Sequence, residues 1–291
     1  MAYKFTLDPS SKKFECPSCK KKRFVRYIEV ATKKLAPPHF GKCDRADNCG
    51  YFEYPKGIVG DYNTIQYKKE EKAFNHYLPI ALIQPTLKLY QQNNFVQYLY
   101  SKFAESEVKN AITTYKIGTA TTFKSATLFW LVDINQKLRS GKIMQFDKHI
   151  GKRVKQPKAK IDWVHSQLKR KKILPKNYKL KQCLFGEHQV NHFEKCNKKI
   201  AIVESEKSAI IMSIIFPKYL WLACGAKDEI KLSKLLVIKS RDIILYPDKS
   251  CFNHWQSKAD ELNELGFNIV VSGLLENIDI ENGADLVDLL T

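Results

Sequence analysis

No apolar run in the sequence approaches the roughly 20 residues that cross a bilayer. Its opening, Met1-Ala2-Tyr3-Lys4-Phe5, has no signal-peptide apolar core. A cytoplasmic location without a membrane partner is the expectation. No GxxxxGK(S/T) segment occurs anywhere, which argues against an ATP-driven motor in this chain. Acids are scarce beside bases: 30 Asp and Glu stand against 49 Lys and Arg, a formal charge of +19. A positive field of that size attracts polyanions, of which nucleic acid is the commonest.

What is present fits a soluble, folded chain of about two domains. There are 291 residues, 44% hydrophobic and 27% charged. Of eight cysteines, four fall in the first 49 residues: Cys16, Cys19, Cys43 and Cys49. Such clustering in a reducing compartment favours metal ligation over disulfides. Cys16-Pro17-Ser18-Cys19 is a tight knuckle, and the alternating stretch Arg23 to Val30 between the pairs reads as a strand. Thiolates at two chain reversals suit a tetrahedral structural Zn²⁺. His39 stands four positions before Cys43 and is an alternative ligand. Residues 1–57 are thus expected to be a zinc β-ribbon, too small to be stable without its metal. Arg23 and Arg26 lie beside Phe24 and Tyr27. That mixture fits contact with phosphates and unstacked bases, and equally an ordinary solvated hairpin face.

Residues 58–110 begin with a polar linker over 61–72 and continue as short amphipathic helices, with Asn94 as a candidate cap. Residues 111–198 form a basic, β-rich region in a mixed α/β middle. Thr127 to Ile134 and Leu138 to Asp147 read as a hairpin. Arg139, Lys142, Lys152 and Arg153 cluster on or after it and are candidate phosphate contacts. His165 and His188 have no nucleophile nearby in sequence and read as structural residues. Cys183 and Cys196 read as small buried residues.

From Lys199 the pattern alternates: strand 200–203, helix 206–216, strand 219–223, helix 228–237, strand 243–246, helix 253–265, strand 267–271. Alternation of this kind predicts a parallel sheet with flanking helices over 199–291. Two of these strands run into acids, Glu204 and Asp248. Ligands bind at the carboxyl edge of such sheets. Gly225 follows a third strand, where backbone can approach a ligand closely.

Ile202-Val203-Glu204-Ser205-Glu206-Lys207-Ser208-Ala209 resembles the first Toprim motif. Tyr246-Pro247-Asp248-Lys249-Ser250 resembles its Asp-x-Asp motif. The closing Asn282 to Leu290 is similar to the Lys-Asp-x-x-Asp stretch of phage primase-helicases. With the ribbon and basic middle before them, these motifs resemble Toprim-domain primase-like proteins of bacterial mobile elements and phage, many of them without assigned function. The resemblance implies an α/β and α+β multidomain chain. It implies a DNA primase that binds single-stranded DNA template and joins ribonucleotides by nucleotidyl transfer, with a replicative helicase supplied in trans. It also implies Mg²⁺ or Mn²⁺ held by Glu204 and Asp248, with Glu206, Asp285 or Asp288 as further acids. Lys207, Gly225 and Lys249 fall near the nucleotide. Ser205, Ser208 and Ser250 replace residues that are Gly, Asp and Asp in the family pattern. A Toprim that binds DNA without catalysis, and a Toprim nuclease, are the alternatives.

Overall fold

In a computed structural model, residues 4–45, 48–55, 77–156, 158–175, 177–192 and 197–290 are described. The expected linker over 61–72 and Cys196 lie outside them. The chain divides into two compact units, residues 1–73 and 74–291.

The first unit is an antiparallel ribbon. Strands β1 (Phe5–Leu7), β2 (Phe14–Glu15), β3 (Lys22–Glu29), β4 (Gly41–Cys43) and β5 (Phe52–Glu53) form a sheet in the order β1-β3-β4-β5, with β2 also on β3. Its core is small. Phe24, Cys16 and Cys43 are buried, with Phe14, Cys19, Cys49 and Tyr51 packed around them. So few apolar side chains cannot hold a fold alone.

The second unit opens with 3₁₀ turns over 80–92, then α1 (Asn94–Lys102) and α2 (Glu105–Thr114). The cap of α1 is Asn93 rather than Asn94: its side chain accepts from the Val96 N–H. Asn93 is the residue with extended backbone, which the capping position requires. An antiparallel sheet follows in the order β6 (Gly118–Ala120), β7 (Ala126–Val132), β8 (Leu138–Met144), β9 (Ile161–Trp163). The short helix α3 (Val164–Arg170) packs on it. Strands β7 and β8 are buried along their whole length because both faces are covered. Phe129, Leu131 and Met144 enter one core; Leu128, Trp130 and Ile143 enter another.

The third sheet is parallel throughout. It comprises β10 (Ile200–Val203), α4 (Glu206–Ile215), β11 (Leu220–Ala223), α5 (Leu232–Leu235), β12 (Asp242–Leu245), α6 (Phe252–Glu264) and β13 (Asn268–Val271). The strand order is β11-β10-β12-β13. Ala201, Val203 and Trp221 face α4 and the α1–α2 pair, while Ile200, Ile202 and Leu222 face Leu235, Trp255 and Leu262. Coverage on both faces explains why the strands read as continuous apolar runs. The expected helix over 228–237 is broken: a 3₁₀ turn at Lys227–Glu229, then α5, then another 3₁₀ turn. The two sheets of this unit share one core, and the Tyr115 hydroxyl donates to the Trp221 carbonyl at 2.8 Å. Among the described residues no helix is long and apolar enough to cross a membrane.

Candidate acidic site and zinc centre

The ribbon gathers its four cysteines. The ligand atoms of Cys16, Cys19, Cys43 and Cys49 all lie within 4.8 Å of one another, and the Cys16 and Cys49 sulfurs are 3.6 Å apart. Zn–S bonds of about 2.3 Å in a tetrahedron separate sulfurs by about 3.8 Å, so this set fits Zn²⁺. The Lys21 N–H beside Cys19 pulls that thiol down to about 6, while burial pushes Cys43 up to about 12. A bound cation deprotonates such thiols together. His39 packs its ring against Phe40 and is not part of the cluster.

The expected stacking rings of the ribbon are interior. Phe24 and Tyr27 are buried. The exposed aromatics are instead Phe52 and Tyr54, at 55% and 43%, both edge-on to Tyr27. Their separation from the basic stretch in sequence hid them. Arg26 lies over the Phe14 ring and donates to the Ala36 carbonyl, whereas Arg23 is exposed.

In the second unit, Glu204 follows β10, Gly225 follows β11 by two residues, and Asp248 follows β12 by three. All three therefore sit at the carboxyl edge of the parallel sheet. Ser205 caps α4, accepting from the Ser208 N–H at 3.1 Å. Gly225 has φ +94° and donates its N–H to the Glu204 carbonyl at 2.8 Å. A side chain there would meet only ordinary contact, 3.6 Å from Glu206, so the left-handed backbone is what calls for glycine.

Among the described residues, the carboxylates of Glu204 and Asp248 have no hydrogen-bond or salt-bridge partner. Burial raises Asp248 to about 8; Glu204, Asp285 and Asp288 push the same way and Lys207 opposes them. Glu204 is also raised, chiefly by burial, against the pull of Lys142. Two half-buried acids in mutual repulsion are costly when ionised, and a cation between them would relieve that cost.

The C-terminal acids reach this edge but are occupied. Asp285 Oδ1 accepts from the Val287 and Asp288 N–H groups, and Asp288 Oδ2 accepts from the Asp285 N–H. Asp285 Oδ2 accepts from the Ser208 hydroxyl at 2.6 Å and lies 3.5 Å from Lys207 Nζ. The pair therefore caps its own turn and docks it on α4. Ser250 has φ +72°, donates its N–H to Glu276 and its hydroxyl to Asn282. Among the described residues, the one set of three or more side chains placed to ligate a metal together is the cysteine set.

Several basic candidates are turned inward. Arg139 is buried against Asp133 at 2.8 Å and over the Tyr77 ring. Lys249 donates to the Glu276 and Ile278 carbonyls. Lys142, on β8, donates to both Glu206 oxygens at 3.1 and 2.9 Å and to the Gly225 carbonyl at 3.2 Å. Arg139 and Lys142 are buried and Lys249 partly so; each finds an acceptor within the fold, so none presents an open charge to phosphate. Lys152 and Arg153 stay exposed. Both histidines bond within the fold, His165 to Ser140 at 2.7 Å and His188 to the Thr114 carbonyl at 2.9 Å. Cys183 is buried.

This combination is a four-cysteine ribbon and an α/β unit with an acidic sheet edge. Residues 3–64 match a zinc beta-ribbon finger family. The chain belongs to the family described as a domain of unknown function (DUF6371), whose profile matches residues 93–249. It is similar to the primase fragment of the bacteriophage T7 primase-helicase: 13% identity, TM-score 0.41, covering 93% of this chain and 91% of that one. It is similar to the RNA polymerase domain of Mycobacterium tuberculosis primase: 13% identity, TM-score 0.47, covering 72% and 76%. It is also similar to the zinc-binding and RNA polymerase domains of Aquifex aeolicus primase: 12% identity, TM-score 0.45, covering 94% and 75%. No curated protein matches.

Proposed function

We propose that the chain is a Toprim-type, primase-like nucleotidyltransferase that joins ribonucleotides on single-stranded DNA during replication of a mobile element or phage. The observation that carries this is the pair Glu204 and Asp248, unpartnered among the described residues at the edge where ligands bind such sheets. Mg²⁺ or Mn²⁺ keeps most of its own waters and takes one or two carboxylates plus phosphate, so two acids suffice to hold it. When bound, the ion would neutralise charge on phosphate oxygens. The protein's own part is to hold the two acids apart from its cations. Lys142 is fixed on Glu206, and Lys207 stands beside Asp285. The exposed Lys152 and Arg153 and the ribbon's Arg23 are the candidate strand contacts, and a cytoplasmic helicase would act in trans.

A second reading is a Toprim that binds DNA without catalysis. It is favoured by Ser250 at the second acid position and by Asp285 and Asp288 being held by their own turn. The test is incubation with single-stranded DNA, the four ribonucleotides and Mg²⁺ or Mn²⁺. Short RNA products that disappear in Glu204→Gln and Asp248→Asn support the primase reading. DNA binding with neither products nor cleavage favours the accessory role, and cut DNA would make the protein a nuclease.

A further inference from the structure

A groove of about 990 Å³ lies away from the acidic edge, on the other side of the antiparallel sheet. Directly paired residues in such a sheet share a face. Phe129 pairs with Lys142, the residue that reaches Glu206, so these two look toward the parallel sheet. Leu128 pairs with Ile143, and both, with Trp130, floor the groove on the opposite face. The thickness of the sheet therefore separates the groove from Glu204 and Asp248.

Its charge is of one sign. The lining includes Lys88, Lys124, Lys148 and Lys171, contributed by four separate segments, and not one Asp or Glu. None of the four forms a salt bridge among the described residues. Between this basic mouth and the apolar floor stand side-chain amides. Asn94 gives its NH₂ to the Phe146 carbonyl, Gln97 to the Tyr90 carbonyl, and Gln167 to Thr122 and Asp162. With the nitrogens engaged, the oxygens remain as acceptors. Two lining residues, Leu89 and Ser125, hold left-handed backbone, at φ +58° and +61°. Strain of that kind collects at ligand clamps.

An apolar floor, acceptor oxygens and unpaired ammonium groups together match one ligand chemistry: a flat ring carrying amino groups, joined to phosphate. We propose that this groove is a nucleotide-binding site distinct from the acidic edge, holding a nucleoside phosphate either free or within a single strand. Bases with an exocyclic amino group, as in adenine, satisfy the amide oxygens better than uracil does. The site would hold a nucleotide rather than transform it, because among the described residues no acid and no metal set lines it. It does not depend on Glu204 and Asp248 being catalytic.

The test is equilibrium binding of ATP, UTP, inorganic triphosphate and a ten-residue oligodeoxyadenylate to the full chain in EDTA at about 150 mM salt, where the Debye length is about 8 Å and long-range attraction is screened. The expected result is ATP binding in Glu204→Gln/Asp248→Asn as in wild type. Lys124→Glu/Lys171→Glu should weaken it about tenfold or more, since like charge then faces phosphate. These side chains are exposed, so the fold tolerates the change. Thr121→Trp, also exposed at the groove wall, should reduce ATP binding without changing the melting temperature. UTP should bind several-fold more weakly than ATP. An oligonucleotide that displaces ATP identifies a strand residue as occupant; ATP retained beside bound oligonucleotide identifies the free nucleotide. The proposal is overturned by absence of ATP binding in EDTA, by unchanged affinity in the lysine double variant, or by triphosphate binding as tightly as ATP.

Discussion

The two candidate metal centres differ in how complete they are. In the ribbon, four sulfurs close on one point. At the parallel-sheet edge, two carboxylates stand unpartnered among the described residues, and the next two acids are bound to their own backbone. A closed set is what a structural ion needs, because the metal supplies the folding energy of a small unit. An open set leaves coordination positions for substrate and water. On the proposed reading the ribbon serves stability and the sheet edge chemistry, and each role can be broken separately.

The largest effect is expected at the closed centre. Cys16→Ser with Cys19→Ser should abolish zinc binding and unfold the ribbon, while residues 74–291 keep their structure. Metal analysis finding about one Zn²⁺ per chain in wild type and none in the variant checks this. Proteolysis should then cut within the first unit alone. Zinc retained by the variant would show that the sulfurs are not the ligands.

Next is the buried pair that backs the open centre. Lys142→Met leaves Glu206 buried without its cation, and removing one member of a buried pair costs about 3–5 kcal/mol. Replacing both residues, as in Lys142→Met/Glu206→Leu, should recover most of that loss in denaturant titration. If the single variant is as stable as wild type, Glu206 has another partner.

Much of the architecture was legible in residues close in sequence. The cysteine pairs announced the ribbon, and apolar runs ending at Glu204 and Asp248 announced the parallel sheet, because a covered strand must be apolar at every position. What was not legible was tertiary. Lys142 and Glu206 are 64 residues apart and Ser208 and Asp285 are 77 apart. A lysine in a basic cluster reads as surface charge unless its buried acceptor is known. Asp285 and Asp288 read as ligands on the strength of the motif alone; their turn-capping bonds are local, but the Ser208 tether that docks the turn is not. Phe24 and Tyr27 alternate with basic residues as exposed rings would, yet a five-stranded ribbon with so small a core needs both inside.

A pH profile sharpens the open centre. Asp248 is held near 8 in the fold against an unfolded carboxyl near 3.8. Between those values the folded chain binds the extra proton. Its contribution to stability is therefore fully present below about pH 4 and is lost as pH rises through 8. Asp248→Asn should remove that slope, melting several degrees above wild type at pH 8 and equally at pH 4. Added Mg²⁺ should offset the loss in wild type and leave the variant unmoved. A wild-type profile already flat over this range would mean that Asp248 is ionised and paired.

The smallest effect is expected where the C-terminal turn meets α4. Ser208→Ala removes the hydroxyl donor to Asp285 but leaves that carboxylate its two backbone donors and Lys207. Loss of one such bond, with the acceptor still satisfied, costs about 1 kcal/mol. Global stability should fall by about that amount. Amide exchange over 283–288 should quicken more than exchange in β10 or β12, because the turn has lost its tether and the strands have not. Asp285→Asn, with Ser208→Ala as its control, separates the readings of the open centre. If Asp285 serves only to dock the turn, primer synthesis survives Ser208→Ala and also Asp285→Asn. If it serves the metal, Asp285→Asn abolishes synthesis while Ser208→Ala does not.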